Sequence, residues 1–201
     1  MLLLAIYLVL SLTSSGGNFT VTLSENLSKE NRITIYEVKD SFDFNRRLEA
    51  EGIDNMDNIS IDWLPKDIDT ESDGAHNGEN YIAYSFYVEN RGENTVNYWQ
   101  EIFIDDVVKN IDEAIRVMII QNGERTVYAK VSSLTKEPEK GTEKFYSEDK
   151  AVVRERKNFT PGTVDRYTIV IWLEGDDYDC INALIGGEIK MHMEITDELV
   201  S

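Results

Sequence analysis

The chain is short of the residues that carry most enzyme chemistry and covalent reinforcement. Its 201 residues include one cysteine, two histidines and three prolines, and 20 Lys plus Arg face 38 Asp plus Glu. A single cysteine, Cys180, excludes an intrachain disulfide, so a domain of this size must be held by its core. With only His76 and His192, a two-histidine metal site requires a polar loop and the wet face of a strand to meet in space. The net charge of −18 repels phosphate backbones and anionic head groups, which argues against nucleic acid as a partner and against membrane binding through a basic patch. The signatures Gly-x-Ser-x-Gly, Gly-x-x-x-x-Gly-Lys-Ser/Thr, Gly-x-Gly-x-x-Gly and His-Glu-x-x-His are all missing. The common hydrolase, nucleotide and zinc-protease readings therefore have no support.

What the chain does have is apolar content. At 41% hydrophobic and 10% aromatic residues it lies above the range of disordered chains, and its length suits one domain with a real core. The longest apolar run comes first. Residues 1–12 (MLLLAIYLVLSL) are uncharged and fall short of the roughly 18–20 residues that span a bilayer. The small residues Thr13, Ser14, Ser15, Gly16 and Gly17 follow, as at a signal-peptide cleavage region, although no Lys or Arg precedes the run. The expectation is an export signal over residues 1–16, cleaved near Ser15 to Gly17. Residues 17–201 then form a single secreted or cell-surface domain with no membrane contact after cleavage.

Beyond residue 17 the dominant period is two. In residues 188–195, Ile189, Met191, Met193 and Ile195 alternate with Glu188, Lys190, His192 and Glu194, the pattern of a half-buried strand. Residues 167–173 (YTIVIWL) are apolar on both faces and predict a central strand, launched by a Pro161-Gly162 turn. Asn122-Gly123 between residues 116–121 and 124–131 predicts a type I′ hairpin. Residues 81–90 and 95–104 flank Arg91-Gly92-Glu93-Asn94 and predict a long aromatic hairpin. Further strands are expected at 18–24, 33–38, 59–63 and 151–154, giving eight to ten. Short helices are expected at 110–114, behind Asn110 as N-cap, and at 177–184 before Gly186-Gly187. The fold class is all-β: a two-sheet antiparallel sandwich of jelly-roll or immunoglobulin-like type with one or two short helices.

The polar segment 67–80 is the most suggestive for chemistry. Asp69, Glu71, Asp73 and Gly74 follow the start of a calcium loop, but the twelfth position is Asn80, with Glu79 one place early and no flanking helices. The candidate metal ligands are thus Asp69, Glu71 and Asp73 in a loose calcium site, set against a solvated acidic loop. Asp176, Asp177 and Asp179 form a second acidic cluster. Cys180 sits among carboxylates that raise a thiol pKa and reads as core filler. Tyr81, Tyr84, Phe86, Tyr87, Tyr98 and Trp99 suggest either core packing or a surface for sugar stacking. No catalytic residue and no cofactor other than calcium is expected.

Several of these segments together resemble a known family. The early Asn18-Phe-Thr-Val strand, Asn90-Arg-Gly-Glu-Asn after an aromatic strand, the run from Tyr167 to Asp177 and Gly186-Gly-Glu-Ile-Lys-Met are similar to the camelysin and TasA-like biofilm-matrix proteins of Gram-positive bacteria. The resemblance covers the overall layout after the apolar run. It implies a jelly-roll sandwich, a surface or matrix location, and self-association in which a subunit lends its N-terminal strand to a neighbour's sheet. Camelysin is classed as a metalloprotease, but no zinc-ligand motif occurs here, and no catalytic residue is carried over. The resulting expectation is a non-enzymatic structural protein that associates with itself and with matrix components. The alternative is a monomeric surface module binding carbohydrate or protein, stabilised by calcium.

Overall fold

Alternating apolar and polar residues give most of the chain its strands, seen in a computed structural model that describes residues 18–39 and 45–198. The apolar run 1–12 and its expected cleavage region lie outside the described residues. The strands are β1 (Phe19–Leu23), β2 (Ile33–Tyr36), β3 (Arg47–Ala50), β4 (Gly74–Ala75), β5 (Tyr81–Asn90), β6 (Val96–Val108), β7 (Ile115–Gln121), β8 (Glu124–Ala129), β9 (Glu143–Lys144), β10 (Lys150–Phe159), β11 (Val164–Leu173) and β12 (Glu188–Thr196). A five-stranded sheet has the order β10-β6-β12-β1-β3. A seven-stranded sheet has the order β2-β5-β11-β7-β8-β9, with β4 also paired to β5. Their inward side chains, among them Phe19, Phe86, Tyr98, Phe159 and Ile169, form one shared core.

The sandwich is as expected, but its sheets are mixed rather than wholly antiparallel. β1 runs parallel to β12, with Val21 opposite Met193, and β8 runs parallel to β9. β1 and β12 are the first and last described strands, so no tight turn dictates their relative direction. The Asn122-Gly123 turn has φ of 53° and 87°, the two positive values of a type I′ hairpin, and it joins β7 to β8 as predicted. β11 is central, between β5 and β7, and Gly162 at φ 77° makes the turn that launches it.

The aromatic hairpin is corrected. β5 and β6 are consecutive but belong to different sheets, so residues 91–95 turn a corner from one layer to the other. Tyr84, Phe86 and Val88 of β5 and Tyr98 and Ile102 of β6 each point into the core, and two strands facing one core from opposite sides satisfy both. Fully buried Asn90 clamps the corner. Its Nδ2 donates to the carbonyls of Phe159 at 2.7 Å and Asn94 at 2.9 Å, and its Oδ1 accepts from the Gly92 N–H at 3.0 Å.

Residues 59–63 do not form the expected strand. Ile59 makes a single bridge to Glu174, and Ile61–Trp63 is a 3₁₀ turn. This segment instead starts a layer of loop over the outer face of the seven-stranded sheet. Ile59, Leu64 and Ile68 pack there on Ala83, Met118, Val170 and Trp172, which explains why β11 is apolar on both faces. The expected helices shrink to 3₁₀ turns at Ile111–Glu113 and Asn182–Leu184, and Asn110 sits at φ 55° without a side-chain cap bond. A short α-helix that alternation did not announce, α1 (Glu25–Lys29), is capped by Ser24 Oγ, which accepts from the Leu27 N–H. No helix among the described residues is long and apolar enough to cross a membrane.

Candidate functional site

The expected calcium ligands do not converge. Asp69 pairs with Arg125 at 2.7 Å, and Glu71 is exposed. Asp73 accepts from Tyr87 Oη at 2.8 Å, from the Lys39 N–H at 3.1 Å and from Arg166 at 3.4 Å. Burial pushes the Asp73 carboxyl up, but these three donors outweigh it and hold the pKa below the usual range. The loop is therefore tied to the sheet by cations and hydroxyls of the protein itself. His76 is held between the carbonyl oxygens of Gly74 and Ile68, each at 2.9 Å, while His192 stacks on Phe103 and bonds Asp105 on the other sheet. The two histidines do not meet.

The aromatic residues are divided between layers. Tyr84, Phe86 and Tyr98 are fully buried, and Tyr87 stacks on Tyr36 with ring centres 5.3 Å apart. They do not form a common sugar-stacking surface. Between the sheets lies a polar network around Asp165, which is 1% exposed. Asp165 accepts from Arg156 at 2.6 Å, Asn122 at 2.9 Å, Gln121 at 3.1 Å and Tyr98 at 3.3 Å, and the Tyr98 and Tyr167 hydroxyls lie 2.8 Å apart. Arg156, from β10, and Asp165, from β11, join the two sheets through the core. The network fastens the two sheets to each other.

Chemistry-bearing groups gather instead at one end of the sandwich, where β6, β8 and β11 end and β7, β10 and β12 begin. Glu139, Asp177 and Asp179 come together there, the one group of three carboxylates close enough to share a cation among the described residues. Asp177 is buried and paired with buried Arg116 at 2.5 Å, Asp179 accepts from the Ser133 N–H at 2.8 Å, and Glu139 Oε1 is buried without a partner. All-oxygen ligands of this kind suit a hard cation such as calcium. The sequence marked Asp177 and Asp179 as a cluster, but Glu139 arrives from a loop 38 residues earlier in the chain, and no local signal announces it. Beside them, Cys180 has its thiol pKa raised by burial and then by Asp177 and Glu174, the opposite of an activated nucleophile.

The same end carries two clefts, of about 780 and 550 Å³, and Ile181 and Leu184 line both. It also carries most of the exposed large apolar side chains, with Ile185 71%, Tyr178 69% and Leu134 67% exposed. At this size and position the larger cleft is the candidate binding site. Its floor is Val131, Phe145 and Leu184, and its rim holds Lys109, Lys130, Lys136, Lys144 and Tyr146. Lys130 bonds Asp112 at 2.5 Å, Glu148 at 3.1 Å and Glu113 at 3.2 Å. Burial alone would lower its pKa, but these carboxylates raise it overall, so Lys130 stays charged.

Fold and site together define a class, a mixed-sheet β-sandwich with a polar cleft at one end. No protein-family model, curated protein or solved structure matches the chain.

Proposed function

We propose that the chain is a secreted, non-enzymatic surface or matrix protein that self-associates by β-strand addition, with β1 as the donated strand. The observation that supports it is the position of β1. This first described strand lies inside the five-stranded sheet between β12 and β3, and it sinks Phe19, Val21 and Leu23 into the shared core. It joins the rest of the chain through Ser24 and one short helix, so a neighbour's copy fits the same slot with the same side chains.

The long edge of that sheet is unsuited to simple addition. β10 turns Arg154 and Arg156 inward, its pairing to β6 is broken by register shifts at both ends, and Asn158 has a positive φ of 55°. These are devices that keep an edge strand from pairing with another chain. Exchange of β1 does not use that edge.

Register supplies the test. Val21 and Met193 are partners across β1 and β12, so a Val21→Cys/Met193→Cys chain with Cys180→Ser can lock β1 into its own sheet on oxidation. Light scattering and negative-stain microscopy at low and high salt should show polymers when reduced and monomers when oxidised. High salt should favour the polymers by screening subunits of charge −18. Polymers that form with β1 locked would overturn strand donation, and a monomer under every condition would overturn self-association.

A further inference from the structure

The geometry points to the larger end cleft as a binding site for an acidic oligosaccharide, a property independent of strand donation. The argument begins with where the charge lies. The stretch from Lys130 to Lys157 holds eight of the 20 cations and only six of the 38 acids, a net +2 in a chain of −18. It forms one wall of the cleft and then the edge strand β10. In so acidic a chain this stretch is a local excess of positive charge, which favours an anion there.

Within the cleft, the acids are engaged and two lysines are not. Glu113 and Glu148 bond Lys130, and Asp179 accepts from Ser133. Lys109 donates to the Ile185 carbonyl at 2.6 Å. Lys136 and Lys144 are exposed at the rim, and neither has a carboxylate within ion-pair distance among the described residues. Two free ammonium groups over a partly apolar floor ask for a ligand that is anionic at its edges and weakly apolar on its faces. A uronic-acid sugar has both, since its carboxylate meets an ammonium while its ring stacks on an aromatic. Tyr146, 60% exposed at the rim, offers that aromatic face. A cleft of about 780 Å³ holds more than one such ring, within the usual range for ligand sites.

The backbone supports a shaped site. Six non-glycine residues have positive φ among those described, and three of them, Lys109 at 59°, Asn110 at 55° and Lys136 at 63°, line this cleft. Each costs conformational energy, and such costs gather where a particular shape is held.

The test titrates the full chain with hexagalacturonate by calorimetry, beside neutral cellohexaose and a short polyphosphate, at low and high salt. Saturable binding of the uronate alone, weakened by salt, is the expected result. Lys136→Gln/Lys144→Gln should weaken it at least about tenfold, the scale of hydrogen bonds to charged groups, and Tyr146→Ala should weaken it separately. All three positions are exposed, so an unchanged melting temperature will show that the fold is retained. Absence of uronate binding, equal binding of cellohexaose, or no effect of the lysine variant would each overturn the site. Polyphosphate binding as tight as the uronate would reduce it to a charged patch and overturn the sugar assignment.

Discussion

Raising the pH above 10 should unfold this protein steeply, because three tyrosine hydroxyls are sealed in its core. Tyr84, Tyr98 and Tyr167 are fully buried, and burial is the main cause that lifts each pKa well above the ordinary value. Tyr84 is raised further by the Glu37 carboxylate it donates to, and Tyr98 by the neighbouring Tyr167 and Asp165. In the unfolded chain all three ionise near pH 10. A native state that holds its protons more tightly is fully stabilised below that pH and loses stability as pH rises toward the folded pKa values. Each such tyrosine contributes about 1.4 kcal/mol per pH unit, so three give a slope of about 4 kcal/mol per unit. Tyr128, pushed up to about 12 chiefly by burial, adds to the slope until that pH. A domain with about 5–15 kcal/mol of stability would lose it within a few units. Urea unfolding at stepped pH measures the slope, and tyrosinate absorbance counts the hydroxyls that ionise only on unfolding. Tyr98→Phe removes one of these four contributions and should flatten the slope by about one quarter below about pH 12. Titration of all ten tyrosines near pH 10 in the folded protein, or stability that is level through pH 11, would refute the reasoning.

Two further perturbations test how the fold is held. Arg116→Leu should cost about 3–5 kcal/mol in urea unfolding, because it strands the Asp177 carboxylate beside Asp179 and Glu139, while Arg116→Leu/Asp177→Leu should recover most of the loss. Gly123→Ala meets no atom within 4 Å but forces an alanine to φ 87°, so a loss of about 1 kcal/mol, read as a lowered melting temperature, should come from the backbone alone.

Period-two alternation in β12, the doubly apolar run in β11 and the Asn-Gly pair between β7 and β8 were legible because each is a local rule that the tertiary fold also obeys. The aromatic strands misled for the same reason. Local signals see two strands and a short polar connection, and a hairpin and a sheet-to-sheet corner look alike until the partners of β5 and β6 are known. What separates them is Asn90, whose amide reaches Phe159, 69 residues away. Residues 59–63 suggested a strand and 67–80 an acidic loop, yet the structural weight of this region lies in Ile59, Leu64 and Ile68, whose spacing follows neither period. At the candidate site, Cys180 and the Asp177–Asp179 cluster were visible. The lysine rim was not, because Lys109 and Lys136 from separate loops and Lys144 from β9 are united only at the end of the sandwich.

The parallel pairing of β1 with β12 governs when the molecule can be finished. Thr20 finds its partner in His192, and among the described strands β12 alone connects the β1–β3 pair to β6 and β10. Until β12 has been made and delivered, the five-stranded sheet is two fragments, and the seven-stranded sheet has only part of its core to pack against. Closing a loop of that length is entropically costly and kinetically slow. A nascent chain emerging N-terminus first therefore has no complete native structure to rest in until β12 has emerged, and it stays open to chaperones until then.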